Sequence, residues 1–169
     1  IRNEIRNAKK GKNAWIKIKL NSITNYEMIQ ELYKASNAGV KVEMIVRGIC
    51  CLIPGNSEFS KNIEAISIVD KYLEHTRFFI FCSGGENKTY ISSADWMTRN
   101  LENRIEVTCP ILDPSNKKEI LDIFNIYWLD NLKSRKLNSM KPNEYKKNKM
   151  QPMQSQNSIY NYYLKNLEK

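Results

Sequence analysis

The sequence predicts an α/β domain with a mixed β-sheet flanked by helices. Residues 14–20 alternate apolar and basic side chains as a strand does, a helical pattern follows, and the β-branched residues of 40–46 predict a second strand. This β-α-β order is typical of parallel pairing. Further short strands are predicted along the chain, and an amphipathic pattern that begins near residue 115 predicts a long helix.

The first elements form the β-α-β unit. Residues 2–10 predict a short helix, and residues 14–20 predict the first strand. Thr24 and Glu27 have the spacing of a capping box for the crossover helix, and Gly39 has the place of its C′ residue. We therefore expect the strands on either side of this helix to be parallel neighbours in the sheet.

The middle of the chain alternates loops and short strands. Residues 49–62 are predicted to be a loop and residues 63–68 a strand. A short helical turn over 69–74 is expected to lead into a strand over 77–81. A glycine-containing turn over 83–87 then connects that strand to the next ones, which are expected at 90–93 and 105–111.

The last part of the chain contains two predicted helices separated by a polar segment. Ser115 is the expected N-cap of the long amphipathic helix. Residues 138–153 are rich in lysine and predict a tail or an extended wrap, and a final helix is expected from about Ser155. We therefore divide the chain into a domain of residues 1–137 and a lysine-rich extension with a terminal helix, residues 138–169.

The charge of the chain indicates a polyanionic partner. Lysine and arginine number 27 against 18 acidic residues, which gives a formal net charge of +9. Nucleic acid, an anionic membrane, nucleotide phosphate and inorganic polyphosphate are all consistent with this charge. Much of the excess lies among the lysines near the C-terminus, where a solvated face is the more ordinary explanation.

The cysteines and the hydropathy pattern indicate a cellular compartment. There is no run of about 18 apolar residues and no signal-peptide pattern, so we expect neither a membrane span nor secretion. The four cysteines form no C-x-x-C pair, and together with the one histidine they do not make a zinc set with the usual spacings. We expect free thiols, no metal site in this chain and a reduced, cytosolic compartment. The chain begins at Ile1 inside a predicted helix, and we expect it to be a piece of a longer protein.

The only histidine marks a candidate anion site. His75 directly precedes an apolar strand, and an imidazole can take and return a proton near neutral pH. Arg77, two residues on, is expected on the same side as His75 if the strand has begun there, and Arg47 ends a different strand. Ser92 and Ser93 offer hydroxyl and N–H groups at another strand end. Because ligands of open α/β sheets bind beyond the carboxyl ends of strands, we expect these groups to converge there.

The spacing around His75 resembles the signature of the phospholipase D-like fold, which is His-x-Lys-x4-Asp followed by Gly-Ser-x-Asn. Arg77 takes the lysine place, Cys82 takes the aspartate place, and the tetrapeptide Ser92-Ser93-Ala94-Asp95 replaces the second motif. A cysteine cannot do the work of a carboxylate. Enzymes of this fold also need two such motifs at a pseudo-twofold axis, whereas this chain has one, so the resemblance argues against ordinary phosphodiester hydrolysis.

Three longer motifs resemble the C-terminal domain of bacterial polyphosphate kinase. They are Val46-Arg47-Gly48-Ile49-Cys50-Cys51-Leu52-x-Pro54-Gly55, Leu73-Glu74-His75-x-Arg77, and Tyr90-Ile91-Ser92-Ser93-Ala94-Asp95-Trp96-Met97-x-Arg99-Asn100-Leu101. The similarity covers most of residues 1–135 and becomes weak in the lysine-rich extension. All three motifs occur in the family's order, which makes the resemblance specific.

The resemblance implies a reversible transfer of the γ-phosphate of ATP to inorganic polyphosphate through a phosphohistidine. The phosphorylated histidine and the magnesium-binding arginines of that family belong to a preceding domain, so Mg²⁺ would find its ligands outside this chain. On matching positions, Arg47 and His75 contact the phosphates of ATP, and His75 is the catalytic residue that transfers a proton. The residues expected either to contact phosphate or to support those that do are Arg77, Ser92, Ser93, Asp95 and Arg99. For Asp95 a turn-forming role is an equally open interpretation.

The same resemblance implies partners and a location. We expect ATP or ADP, inorganic polyphosphate and the preceding domains of the same polypeptide as partners, a homo-oligomeric parent enzyme and no nucleic acid. The expected location is the cytoplasm, with peripheral attachment to the inner membrane as an option. Two alternatives stay open. One is a phospholipase D-like phosphodiesterase or nuclease completed by homodimerisation, and the other is a non-catalytic module that binds polyanions through its basic surface.

Overall fold

The computed structural model describes residues 1–138 and 143–167, which are organised around one eight-stranded mixed sheet. The strands are β1 (Trp15–Leu20), β2 (Lys41–Val46), β3 (Ile63–Ile68), β4 (Phe78–Phe81), β5 (Lys88–Ser92), β6 (Thr108–Ile111), β7 (Ser134–Lys136) and β8 (Glu144–Tyr145). The helices are α1 (Arg2–Lys9), α2 (Tyr26–Asn37), α3 (Thr98–Glu102), α4 (Pro114–Leu129) and α5 (Ser155–Leu167), with a short 3-10 turn at Ser83–Gly85. No helix in these described ranges is long and apolar enough to cross a bilayer.

The strand order determines which segments lie together. The order across the sheet is β6-β5-β4-β1-β2-β3-β7-β8, in which β1, β2 and β3 are parallel and the other neighbours are antiparallel. We call the end at which β1, β2 and β3 finish the carboxyl end of the sheet. Because β4, β6 and β7 start there and β5 finishes there, the segments that precede or follow these strands meet at that end.

The predicted β-α-β unit is confirmed. β1 and β2 are parallel from the pair Trp15 and Lys41 to the pair Leu20 and Val46. The crossover helix α2 ends before Gly39, whose φ of +92° is favourable for glycine and terminates the helix as expected.

Two predicted helix caps are wrong by one or two residues. The N-cap of α2 is Asn25 rather than Thr24, and its side chain accepts a hydrogen bond from the N–H of Met28 at 3.0 Å. The N-cap of α4 is Asp113 rather than Ser115, because proline, which lacks an N–H, takes the first helical position after it. In both cases several residues of capping type are adjacent, and the tertiary path of the chain selects one.

The predicted helical turn at 69–74 is also wrong, since residues 69–77 have no regular structure. The N–H and C=O groups of Tyr72, which a helix would use internally, bond instead to the side chain of Gln156 in α5. The short helix α3 was not expected. The strand predicted at 105–111 begins at Thr108, and the strand predicted at 77–81 begins at Phe78.

Hydrophobic cores cover both faces of the sheet. Alternate residues of β1, Ile16, Ile18 and Leu20, are buried on the face that α1 and α2 cover. On the other face, side chains of α4 pack against the sheet, and the rings of Phe78 and Phe124 meet edge to face with centroids 6.2 Å apart. Burial on both faces means that every side chain of the central strand β1 must find a partner inside the protein.

Lys17 and Lys19 show the consequence of this double burial. Their alternation with apolar residues is typical of a strand with one face in water, yet both point toward the face that α4 covers. Lys17 forms an ion pair with Glu43 of the neighbouring strand, and the Nζ of Lys19 lies 3.2 Å from the carboxylate of Glu74. The basic residues of β1 are therefore neutralised by acidic partners rather than by solvent.

The described part of the extension lies against the rest of the chain. β8 pairs with β7, which itself pairs with β3, and the side chain of Asn131 bonds to the carbonyl of Gln151 and the N–H of Met153. The tyrosine hydroxyls of α5 then bond to acidic residues of α4. The segment at 139–142, within the predicted tail, lies outside the described residues.

Candidate functional site

The carboxyl end of the sheet brings together residues from four strand ends. The segment after β1 holds Asn21 and Ser22, and Arg47 follows β2. The residues that precede β4 include His75 and Arg77, and the residues that follow β5 are Ser93, Ala94 and Asp95. This placement follows from the parallel direction of β1 and β2 and from the reversed direction of β4 between β1 and β5.

Asp95 is the centre of this cluster. Its Oδ1 accepts hydrogen bonds from the N–H groups of Asn21 at 2.8 Å and Ser22 at 3.0 Å. The Nη2 of Arg77 donates to its Oδ2 at 3.1 Å, and the Nε of the same arginine lies 3.1 Å from Oδ1. A buried carboxylate with these partners joins the end of β1 to the start of β4, so Asp95 does more than form a local turn.

The environment of Asp95 keeps it ionised. Burial alone would raise the pKa of this carboxyl group. The hydrogen bonds from Arg77 and from the N–H groups of Ser22 and Asn21 outweigh burial and hold the pKa below its usual range. The negative charge is therefore available to Arg77 at all pH values near neutrality.

Asn21 connects this pair to Arg47. The Nε of Arg47 donates to the Oδ1 of Asn21 at 3.0 Å, and the N–H of Gly48 donates to the main-chain carbonyl of Asn21 at 2.7 Å. Asn21 is only 4% exposed, and its Nδ2 has no hydrogen-bond partner among the described residues. A continuous chain of contacts thus runs from Arg47 through Asn21 and Asp95 to Arg77, with one amide donor to spare.

His75 lies on the exposed segment next to this cluster. Its main-chain carbonyl accepts a hydrogen bond from the Nη1 of Arg77 at 2.9 Å, and the next carbonyl, that of Thr76, accepts one from the Nζ of Lys19 at 3.2 Å. Both residues precede the strand, so strand periodicity does not place His75 and Arg77 on one side as expected. The guanidinium of Arg77 turns instead toward Asp95 and holds the histidine backbone.

Lys19 is a buried lysine that sequence reasoning did not select. It is 3% exposed, and its Nζ lies 4.9 Å from the centroid of the Tyr127 ring and 3.2 Å from Glu74. Burial lowers the pKa of Lys19, Glu74 partly opposes this change, and Arg47 and Arg77 add to it. Burial and the neighbouring Glu74 carboxylate raise the pKa of Tyr127. One indication of this burial was present in the sequence, since Lys19 lies in the strand predicted to be the first of a β-α-β unit.

The hydroxyls of Ser92 and Ser93 bond to the first residue of β6 and to the segment before it. The Oγ of Ser92 lies 2.8 Å from the Oγ1 of Thr108 and accepts from the N–H of Ala94. The Oγ of Ser93 donates to Glu106 and accepts from the N–H of Val107 at 3.0 Å. The two serines lie at the carboxyl end as predicted, and their hydroxyls support the turn that carries Asp95.

Two other residues of the predicted motifs lie apart from the cluster. Arg99 is exposed on α3 and takes no part in the contacts described above that join Arg47 to Arg77. Cys82 is buried after β4, at the opposite end of the sheet from His75, where its Sγ is 3.5 Å from the carbonyl of Asn13. The loss of a carboxylate at the Cys82 position therefore removes no group from the cluster. Within residues 1–138 and 143–167, no group of three or more His, Cys, Asp or Glu could hold a metal ion.

A comparison with known families identifies a matching model. Residues 1–156 match the model described as polyphosphate kinase C-terminal domain 2. This match covers all the residues of the cluster and the first residues of α5.

Curated relatives show the same similarity. The chain is 49% identical over 170 residues to a polyphosphate kinase of Vibrio parahaemolyticus, which covers 100% of this chain and 24% of that protein. It is 46% identical over 166 residues to the polyphosphate kinase of Escherichia coli K12, covering 98% of this chain and 24% of that protein. The chain thus spans about a quarter of the length of the curated relatives that it matches.

Solved structures agree in fold. The crystal structure of a polyphosphate kinase from Porphyromonas gingivalis superposes with a TM-score of 0.96 at 45% identity, covering 99% of this chain and 26% of that one. Nuc, a phospholipase D family member from Salmonella typhimurium, superposes with a TM-score of 0.57 at 14% identity, covering 82% of this chain and 91% of that one. The second similarity shows the fold alone, and it confirms the predicted phospholipase D-like architecture.

Proposed function

This chain belongs to the polyphosphate kinase family, as its C-terminal domain 2, and we propose that it supplies half of a phosphoryl-transfer site. The reaction is the reversible transfer of the γ-phosphate of ATP to inorganic polyphosphate. The observation that supports this proposal is the chain of contacts from Arg47 through Asn21 and Asp95 to Arg77, whose guanidinium also donates to the carbonyl of His75.

The cluster suits phosphoryl transfer because that chemistry depends on positioning and on charge stabilisation. The Nε of Arg47 is held by Asn21, which orients the guanidinium for bidentate contact with phosphate oxygens. Arg77 is paired with Asp95 and bonds to the backbone of His75, so its role in this proposal is to hold the histidine rather than the ligand.

His75 is the proton-transferring group in this proposal. The bond between the γ-phosphorus and its bridging oxygen breaks, ADP leaves, and the phosphoryl group passes to a histidine nitrogen of a preceding domain before it reaches polyphosphate. The imidazole of His75 holds or returns a proton near the oxygens whose charge changes. Mg²⁺, with ligands outside this chain, would neutralise part of the phosphate charge. Ser92, Ser93 and Arg99 remain predicted phosphate contacts or supports.

The partners follow from the length of the relatives. Because the chain spans about a quarter of those proteins, we propose that preceding domains of the same polypeptide complete the site, with ATP or ADP and polyphosphate as its ligands. In this proposal residues 1–137 are the phospholipase D-like unit and residues 138–169 are its extension. A homo-oligomeric parent enzyme and a cytoplasmic location are parts of the same proposal.

The test uses the full-length enzyme that contains this chain. We expect Arg47→Ala and His75→Ala each to lower ATP-dependent polyphosphate synthesis by at least about 10²-fold, the usual contribution of an acid–base or phosphate-positioning group. Circular dichroism should show that both variants stay folded. The matched control is Arg6→Ala, which removes an exposed arginine of α1 and should retain normal synthesis.

Near-normal synthesis by either site variant would overturn the site assignment. Each of the two alternative functions would be supported by a different result. Metal-independent phosphodiester cleavage by this chain would support the nuclease interpretation. Polyphosphate binding that falls steeply with salt and ignores both substitutions would support a non-catalytic module.

A further inference from the structure

The segment that carries His75 has no regular structure of its own. We call residues 69–77 the histidine segment, and it runs between β3 and β4 with several large side chains exposed. A histidine on such a segment would sample many positions unless other parts of the protein hold it. The contacts of the histidine segment therefore decide how well its imidazole is placed.

Gln156, in the first turn of α5, makes the most specific of these contacts. The N–H of Tyr72 donates to its Oε1 at 3.0 Å, and its Nε2 donates to the carbonyl of Tyr72 at 2.8 Å. The same Nε2 lies 2.9 Å from the Oε1 of Glu74 and donates to it. A side-chain amide that both accepts from and donates to one residue acts as a neighbouring strand would, because its oxygen accepts while its nitrogen donates.

A second contact holds the start of the histidine segment. The Nε2 of Gln154 donates to the Oδ2 of Asp70 at 2.6 Å, and the Nζ of Lys133 lies 3.7 Å from the other oxygen of that carboxylate. Gln154 and Lys133 come from the two ends of the chain segment that connects α4 to α5. The histidine segment is thus fastened at both Asp70 and Tyr72 to residues from the last part of the sequence.

The beginning of α5 is itself firmly placed. The Oδ2 of the fully buried Asp130 accepts a hydrogen bond from the N–H of Ser155 at 2.7 Å, which caps the helix. The hydroxyl of Tyr163 donates to Glu119 of α4 at 2.7 Å and docks the helix further along. Gln156 therefore projects from a supported helix, and its amide can impose a position on the segment that it contacts.

The contact of Gln156 with Glu74 continues toward His75. The other oxygen of Glu74 lies 3.2 Å from the Nζ of the buried Lys19, and that ammonium donates to the carbonyl of Thr76 at 3.2 Å. The path from α5 through Glu74 and Lys19 ends one residue from the histidine. Arg77 holds the carbonyl of His75 itself from the other side.

We propose that α5 is a clamp for the histidine segment and that Gln156 is a positioning residue for the phosphoryl transfer in which His75 takes part. This inference rests on the proposed function. Misplacing a reacting group by about 1 Å can cost about 10²-fold in rate, so a clamp with no contact to ATP still governs turnover. Arg47, which follows β2, is held by Asn21 independently of α5. Loss of the clamp should therefore have little effect on the binding of ATP.

The experiment compares variants of the full-length enzyme in kinetics and in hydrogen–deuterium exchange. Gln156→Ala removes all three bonds, and Gln156→Glu keeps the shape but sets a carboxylate against the carbonyl of Tyr72 and the carboxylate of Glu74. For both we expect exchange of peptides from the histidine segment to accelerate at least about tenfold, and kcat to fall by about 10²-fold while the KM for ATP changes less than about twofold. The control, Asn161→Ala on an exposed position of the same helix, should match the unmodified enzyme.

Unchanged exchange in the histidine segment would overturn the clamp, and faster exchange with unchanged kcat would overturn its role in the reaction. A rise in KM that accounts for the whole loss would also overturn the positioning role. Failure of the proposed function is distinguishable, because it would appear as normal synthesis by His75→Ala. Hydrogen–deuterium exchange tests the contacts of Gln156 with the histidine segment, whether or not the His75→Ala enzyme retains synthesis.

Discussion

Replacement of Asp95 by asparagine should destabilise the domain through one identifiable charge. Asparagine keeps an oxygen that can accept from the N–H groups of Asn21 and Ser22, but it removes the negative charge that faces Arg77. Removing one partner of a fully buried ion pair costs about 3–5 kcal/mol. Because the Arg77 side chain is 19% exposed and keeps some hydration, we expect the cost to be about 2–3 kcal/mol.

Alanine at the same position should cost more. It also leaves the N–H groups of Asn21 and Ser22 without their acceptor, and each buried donor left unsatisfied costs about 1–3 kcal/mol. We therefore expect Asp95→Ala to lose about 4–9 kcal/mol in all. That is a large fraction of the roughly 5–15 kcal/mol that stabilises a domain.

The assay is urea unfolding of the 169-residue chain, followed by the fluorescence of its three tryptophans. With a urea slope of about 2 kcal/mol per molar, Asp95→Asn should lower the midpoint by roughly 1–1.5 M. Asp113→Asn is the matched control, because asparagine and aspartate are comparable N-caps and the midpoint should scarcely move. A loss below about 0.5 kcal/mol for Asp95→Asn at pH 7 would refute the assignment of Asp95 as the centre of the cluster.

The same comparison has a pH dependence with a definite sign. The pKa of Asp95 is lower in the folded protein than its ordinary value, so folding is favoured by ionisation of this group. That contribution is complete above about pH 4–5, near and above the ordinary aspartate pKa, and is lost as the pH falls through the lower folded pKa. The stability difference between the unmodified chain and Asp95→Asn should therefore be constant toward neutral pH and shrink in acid. A difference that persists unchanged at pH 3 would contradict the argument.

Two further predictions concern the groups around the cluster. Gly48→Ala would place a Cβ 3.0 Å from the main-chain oxygen of Asn21, so we expect urea unfolding to show a loss of about 1–3 kcal/mol. Because Arg47 would move with its neighbour, we also expect a raised KM for ATP in the full-length enzyme. An unchanged unfolding free energy together with an unchanged KM would contradict this prediction. Burial lowers the pKa of Lys19, so protonation of this group disfavours folding. The free energy of unfolding of the unmodified chain should therefore increase as the pH rises from the folded pKa of Lys19 toward about 10.4, the ordinary lysine pKa. The Lys19→Met chain should lack this increase, and identical dependence of stability on pH in the two chains would refute the prediction.

Local patterns in the sequence were sufficient for the first part of the fold. Alternation in β1, a helical period in α2 and a glycine at its end are all short-range signals, and they predicted the parallel β-α-β unit correctly. The same unit predicted that Arg47 would lie at the carboxyl end of the sheet. His75 was expected to converge with Arg47, and the structure places it at that end because β4 runs antiparallel to β1.

Long-range partners account for most of what the sequence could not reveal. Aspartate is a common turn residue, and nothing near Asp95 in the sequence indicates its partners. The N–H groups of Asn21 and Ser22, which donate to it, lie more than 70 positions away. The residues of 69–74 have a helical pattern, but Gln156 takes the backbone groups that a helix would need. Thr24 and Asn25 are both suitable caps, and the carbonyl of Trp96, which accepts from both of their N–H groups, decides the path of the chain between them.

The bonds between Gln156 and Tyr72 also have a consequence for synthesis on the ribosome. The two residues are 84 positions apart. At about 5–20 residues per second, Gln156 is made roughly 4–17 s after Tyr72. During that interval β1, α2, β2 and β3 are already available to pair, and Arg47 can reach its place, while the histidine segment lacks its clamp. A nascent chain therefore forms the Arg47 side of the proposed site well before the histidine segment gains its clamp, and a chain that ended between α4 and α5 would contain Arg47 but lack that clamp.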